Sequence, residues 1–261
     1  MRTAALLLLT ALWLAPWHVP SRAHDTASPA SAARADEGKP KLGPDAVLVQ
    51  QAPDYLRTHV APDFWALMPH YASQTTSSSC SVASLTMLVN ALRGVPPYAK
   101  DALVTQSALL EAAGIEKWTR DAAEGGAGVS FAEFETYARR SLQAYGLEPA
   151  GVDVFRPGDG GPAALEGLRR LLAENERSAR DIVLVYFNQG VLTGDWDGPH
   201  ISPIGAYDAE RRRVLVMDVD REWYVPYWSS DEKLLEAMRR PWPGRPEPGG
   251  LIRVRLGPAD R

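Results

Sequence analysis

Hydrophobic and polar positions follow two rhythms along this chain. In the earlier part the apolar residues recur at helical spacing; later they alternate or run together between turn residues. Residues Pro44 to Tyr71 read as short helices around an aromatic group of Phe64, Trp65 and Tyr71. Ser81 to Leu92 reads as a mostly buried helix, with Ser77 to Ser79 as candidate N-caps. Asp101 to Ala113 reads as a helix ended by Gly114, and Gly125 to Gly128 as a loop. Ser130 and Glu133 have capping-box spacing and open an amphipathic helix to about Tyr145. A further helix spans Pro162 to Arg177.

The pattern then changes. Asp181 to Phe187, Ile201 to Tyr207, Arg213 to Val219 and Leu251 to Leu256 are β-branched or alternating segments, and they read as strands. Helices first and strands second predict an α+β fold. It has two lobes, an N-terminal helical lobe and a C-terminal antiparallel sheet lobe.

Composition adds a boundary at the N-terminus. Arg2, the apolar stretch Ala4 to Leu14 and the small-residue pattern Ser21-Arg-Ala23 predict an export signal over residues 1–23. The apolar stretch is shorter than the roughly 20 residues that span a bilayer. The expectation is a periplasmic or secreted protein with no stable membrane insertion after cleavage; an anchor from an uncleaved signal is the alternative. Residues 24–43 are rich in Ala, Ser, Asp, Lys and Pro and read as a disordered linker. Residues 44–257 form the expected catalytic domain, and 258–261 a tail. A net charge of −4 leaves no footprint for nucleic acid.

The chain has one cysteine, Cys80, so it has no internal disulfide. A free thiol outside the cytoplasm is a liability unless it is buried or used. Cys80 sits where a serine-rich loop becomes an apolar helix. A helix N-terminus favours negative charge and so favours a thiolate nucleophile. The competing reading is an inert cysteine packed as a small hydrophobe. Among the histidines, His200 stands out, following the loop Thr193 to Pro199 and opening a strand.

A hairpin of Ile201–Tyr207 with Arg213–Val219, centred on Ala209, would set His200 opposite Asp218. That carboxylate would hold the imidazole in orientation. The pairing depends on register, and Asp220 is the rival on the same face. Gln74, six positions before Cys80, is the candidate oxyanion donor, with the Cys80 backbone N–H beside it. The ordered set Gln74, Cys80, His200, Asp218 reads as a cysteine-nucleophile acyl transferase or hydrolase.

Several segments resemble the phytochelatin synthase family. They are Gly198-Pro-His-Ile-Ser-Pro-Ile-Gly-Ala-Tyr207, Val214-Leu-Val-Met-Asp-Val219, and Arg221, Tyr224, Pro226 and Trp228, followed by Leu234-Leu-Glu-Ala-Met238. Upstream, Tyr71-Ala-Ser-Gln74 with Cys80, and Gly128-Val-Ser-Phe-Ala-Glu-Phe134, are similar to the family's other elements. The resemblance implies a papain-like fold, with Cys80 as nucleophile, His200 as base, Asp218 as orienter and Gln74 as oxyanion donor. It favours Asp218 over Asp220.

It also implies glutathione as substrate, cleaved between its Cys and Gly to leave a γ-glutamylcysteinyl thioester. Water or a second glutathione then takes the acyl group. No cofactor is required; heavy-metal ions such as Cd and Zn enter as glutathione thiolate complexes, with no dedicated metal site. Asn188 stands where members often carry a substrate-binding Arg, and Arg221 and Arg245 are the other candidate substrate residues. Ser81 and Pro199 each replace a family glycine. These departures tilt the expectation toward hydrolysis over polymerisation. The alternative is a papain-like cysteine peptidase acting on other peptides.

Overall fold

A computed structural model describes residues 41–256 apart from 97, 99, 101, 243 and 245. The expected export signal, most of the linker, the tail and Arg245 lie outside the described residues.

Nine α-helices, one 3-10 turn at Met68–His70 and seven strands are described. The helices are α1 (Asp54–Thr58), α2 (Pro62–Leu67), α3 (Cys80–Arg93), α4 (Gln106–Ala113), α5 (Glu116–Asp121), α6 (Phe131–Ala144), α7 (Pro162–Asn175), α8 (Gln189–Thr193) and α9 (Asp231–Arg239). The strands are β1 (Val47–Leu48), β2 (Pro149–Phe155), β3 (Asp181–Asn188), β4 (Pro199–Asp208), β5 (Arg213–Val216), β6 (Tyr227–Ser230) and β7 (Gly250–Leu256). All strand pairs are antiparallel, in the order β1-β6-β5-β4-β3-β7-β2. The fold is α+β.

Strand β3 shows how the sheet is used. Every residue of it is buried. Ile182, Leu184 and Tyr186 join one apolar cluster with the side chains of α3 and α6, while Val183, Val185 and Phe187 join another with α7 and α9. The alternation is the two-residue period of a strand, and both faces are covered. On the first face, Val82, Leu85, Met87, Leu88 and Val89 of α3 are fully buried. Each large side chain among them contributes about 1.5–3 kcal/mol relative to exposure. Helix α3 is therefore seated along most of its length, with Cys80, the expected nucleophile, as its first residue.

Several boundaries differ from the sequence expectation. Helix α4 begins at Gln106, because the Thr105 hydroxyl accepts from the Ala108 N–H and starts the helix there. Helix α5 and strand β2 were not anticipated; both are short on apolar periodicity. The capping box of Ser130 and Glu133 forms as its spacing predicts. The aromatic run Trp223 to Trp228 packs inward, with Tyr224, Tyr227 and Trp228 buried. Residues 190–198 begin inside α8 and are anchored by Gly43 N–H to the Thr193 carbonyl (2.6 Å).

The β4–β5 hairpin requires a correction. The expected centre at Ala209 would pair Ala206 with Arg212. Ala206 instead pairs with Leu215 and Asp208 with Arg213, while Ile204 pairs with Val216. The loop is longer than the assumed turn, and Arg212 takes a left-handed conformation (φ 56°) in it. The register also shifts at Gly205, where a Cβ would lie 2.9 Å from both Cγ and Sδ of Met217. A glycine in a strand at a β-bulge fits this crowding. Strand β5 ends at Val216 rather than Val219.

Candidate active site

Cys80 is the first residue of α3, and it is half-buried. The preceding serines do not cap the helix through their side chains. The Ser79 hydroxyl instead accepts from the backbone N–H of Thr75 (3.0 Å) and Thr76 (2.9 Å), folding the loop back on itself. Ser77 binds Glu124 through its N–H (2.9 Å) and its hydroxyl (2.6 Å). The Ser78 hydroxyl donates to the Gly126 carbonyl (2.8 Å) and that of Thr76 to Ala122 (2.6 Å). A polar run that reads as capping chemistry thus anchors the loop before Cys80 to residues 122–126. The first N–H groups of α3 therefore have no side-chain cap, and negative charge is favoured at that helix end.

Helix α3 is also tied to the strand that carries the histidine. Ser84, one turn after Cys80, donates its hydroxyl to the Ile201 carbonyl at 3.0 Å. Ile201 follows His200 in β4. That bond, buried in the α3–β4 interface, sets the position of the cysteine relative to the imidazole.

His200 is buried opposite Phe187, whose ring meets it edge-on at 5.6 Å. Its Nε2 lies 2.9 Å from Asp218 Oδ1, and both residues are nearly inaccessible to solvent. The remaining ring nitrogen, Nδ1, is free of that carboxylate. Burial works against the imidazolium, but the Asp218 charge and the Cys80 sulfur outweigh it and push His200 up to about 10. Burial likewise works against the Asp218 carboxylate; the His200 charge and hydrogen bonds from His200, Gln189 and the Asp220 N–H hold it below the usual range. The sulfur, imidazole and carboxylate therefore form one chain of interacting groups.

The pairing of His200 with Asp218 arises differently from the expected hairpin. Beyond the bulge the chain leaves the ladder, with Met217 N–H donating to the Pro203 carbonyl (2.9 Å). Asp218 then reaches His200 from just past the strand end. The Asp220 N–H donates to Asp218 Oδ1 (2.9 Å), so the rival residue supports Asp218 through its backbone.

Gln74 is held beside this pair. Its N–H donates to the Val219 carbonyl (2.8 Å), and its buried Oε1 has no hydrogen-bond partner. Tyr71, three residues earlier, donates its hydroxyl to the Asp218 carbonyl (2.5 Å). Arg221 lies over the Tyr71 ring at 4.7 Å and is exposed at the rim.

Asn188 is not at the rim. It is fully buried, caps α8 by accepting from the Gly190 N–H (3.0 Å), and donates to Asp197 Oδ1 (2.7 Å). Its place next to a short helix, with a partner nine residues on, turns a supposed substrate contact into a structural one.

Gln189 was missed by sequence reasoning. It is fully buried and donates its side-chain amide to Asp218 Oδ2 at 2.8 Å. Its signal was weak: a glutamine between a strand and a glycine gives no pattern, and its partner lies 29 residues away. Among the described residues no three His, Cys, Asp or Glu side chains converge on a common metal position.

The family model described as phytochelatin synthase matches residues 49–243. The chain is 27% identical over 185 residues to "Glutathione gamma-glutamylcysteinyltransferase 3" of Lotus japonicus, covering 67% of this chain and 34% of that one. It is 27% identical to each of two Arabidopsis thaliana proteins, "Glutathione gamma-glutamylcysteinyltransferase 2" and "Glutathione gamma-glutamylcysteinyltransferase 1", covering 67% of this chain in both cases and 36% and 33% of the relatives. The chain spans about a third of the length of these curated relatives. A helical lobe packed on an antiparallel sheet, with the family match running across both, leads to one conclusion: the chain belongs to the phytochelatin synthase family.

Proposed function

We propose that this protein is a thiol-dependent acyl enzyme acting on glutathione. The observation that carries this reading is the buried His200–Asp218 pair (2.9 Å) facing a cysteine at a helix start. The relatives' names supply the substrate class.

His200 holds the proton that Cys80 Sγ gives up on becoming the nucleophile, and the Asp218 charge favours the imidazolium so formed. The Cys80 Sγ attacks the carbonyl carbon between the Cys and Gly residues of glutathione. The carbonyl oxygen gains the negative charge, and the Cys80 N–H and the Gln74 side-chain amide stabilise it. As the C–N bond breaks, His200 gives its proton to the glycine nitrogen, and glycine leaves. The product on the enzyme is a γ-glutamylcysteinyl thioester. Neutral His200 then takes a proton from the incoming nucleophile. Water gives γ-glutamylcysteine and free thiol; the α-amino group of a second glutathione gives the longer peptide. Asp218 holds the imidazole throughout and offsets its charge. Arg221 supplies a cation at the rim for a substrate carboxylate.

Glutathione thiolates of Cd²⁺ or Zn²⁺ are read as substrate forms, so the metal arrives with the peptide. The buried, structural role of Asn188 supports a weak acceptor site and hydrolysis as the dominant outcome. The N-terminal sequence supports export to the periplasm or beyond. Incubating the purified protein with glutathione, with and without Cd²⁺, and separating the thiol products by mass tests the reading. γ-Glutamylcysteine and glycine are expected, lost in Cys80→Ser. Longer γ-Glu-Cys oligomers as the main product would show a working acceptor site. Cleavage of other peptides with glutathione untouched would favour a general peptidase.

A further inference from the structure

We infer that Gln189 is a positioning residue of the reaction, holding the second oxygen of Asp218 so that the first is presented squarely to His200. The two oxygens of Asp218 have separate partners. Oδ1 accepts from His200 Nε2 (2.9 Å) and the Asp220 N–H (2.9 Å), and Oδ2 accepts from Gln189 Nε2 (2.8 Å). A carboxylate can only accept, so the amide nitrogen must be the atom facing it. With one oxygen held, the carboxylate is not free to rotate away from the ring.

Gln189 is itself fixed. It is fully buried, its N–H donates to the Gly198 carbonyl (2.9 Å), and its own carbonyl accepts from the Thr193 hydroxyl (2.9 Å). These bonds close the segment between β3 and β4 into a loop whose two ends are Gln189 and the residues leading to His200. One short element therefore aims both the imidazole and the carboxylate. Other donors stand around Asp218, and of these only the Gln189 amide makes a hydrogen bond to Oδ2. The hydroxyls of Tyr71, Tyr224 and Tyr227 and the guanidinium of Arg221 lie around it, with Cys80 beyond the histidine. Tyr71 reaches the Asp218 backbone carbonyl and Tyr224 donates to Asp195, while the Tyr227 hydroxyl faces both Asp218 and the Gln189 side chain.

The pair can be read without any substrate, because Cys80 is the chain's one cysteine. The rate of its alkylation by iodoacetamide against pH reports the thiolate–imidazolium pair. The inference rests on the acyl-enzyme reading for its role in turnover, but the alkylation arm stands apart from it. Gln189→Leu removes the donor at similar volume. The acid limb of the alkylation profile should move to higher pH, because Asp218 loses a bond to its charged form, while the alkaline limb stays in place. Glycine release from glutathione should fall in kcat by about 10–100-fold, with KM within about twofold.

Gln189→Glu sets a second carboxyl against Asp218. Once ionised it places a second negative charge against Asp218 and donates nothing, so turnover should fall as pH rises and recover at lower pH, where the protonated Glu donates as Gln does. Folded variants with the parent's acid limb and kcat overturn the inference, as does failure of both to fold, which would make Gln189 a folding residue. A parent that releases no glycine yet shows the Gln189-dependent alkylation shift would sink the glutathione reading and support this one.

Discussion

Asp218 and Asp63 lie toward opposite ends of strand β3 and are buried alike, at 0% and 1% exposure. Asp218 sits by the β4 start, where both its oxygens are hydrogen-bonded and an imidazolium faces it. Asp63 sits near Asp181 at the other end, its oxygens outside hydrogen-bond geometry and only the Asn175 amide and the Arg253 charge weakly opposing its burial. Burial pushes both carboxyls up. At Asp63 the Asp181 charge adds to it, and the group is raised well above the usual range. At Asp218 the partners reverse the direction. Burial alone therefore decides nothing about charge; the partners do. The end of the sheet built for charge is the end that holds the cysteine.

Removing the partnered carboxylate should have the largest effect. Asp218→Ala leaves His200 buried without its counter-charge. Turnover should fall by about 10⁴-fold, and stability by about 3–5 kcal/mol. Glycine-release kinetics and urea denaturation check both.

The pH dependence of stability follows the same logic. The folded His200 value lies above its unfolded one, so its contribution is complete below pH 6.5 and is lost as pH rises through about 10. The folded Asp218 value lies below 3.8, so its contribution is present above that pH and is lost on further acidification. Urea midpoints across pH should show a plateau between the two, and Asp218→Ala should remove both edges.

Asp63 should give the opposite and smaller sign. Its folded value is raised above 3.8, so its cost is absent below that pH and grows as pH rises toward the folded value. Asp63→Asn should raise stability by about 1 kcal/mol at about pH 8 and by less at about pH 5. An equal gain at both would break the comparison. Smaller again, Arg221→Ala at the rim should raise KM for glutathione about threefold with kcat retained, a loss of roughly 0.6 kcal/mol in keeping with an exposed ion pair.

Much of this was readable from the residues, and the failures share a cause. Helix α3, the capping box at Ser130 and the strand Asp181–Phe187 carry their own periodicity and local chemistry. Gln74, Cys80, His200 and Asp218 were nominated by residue type and order, and the fold gathers them. The hairpin register was misread because turn length was assumed. The four residues from Ala209 to Arg212 and the bulge at Gly205 shift the pairing, and only the glycine inside a strand hinted at it. Gln189 and the anchored serine loop stayed hidden because their partners are remote in sequence. Glu124, for example, lies 47 residues from Ser77.

The most direct measurement is the intact mass of the protein mixed with glutathione and quenched in acid within the first turnover. The expected result is a γ-glutamylcysteinyl adduct on Cys80 with an equal amount of glycine released, both absent in Cys80→Ser. Glutathione consumed with the protein's mass unchanged, or glycine released equally by Cys80→Ser, would contradict acyl transfer through this thiol.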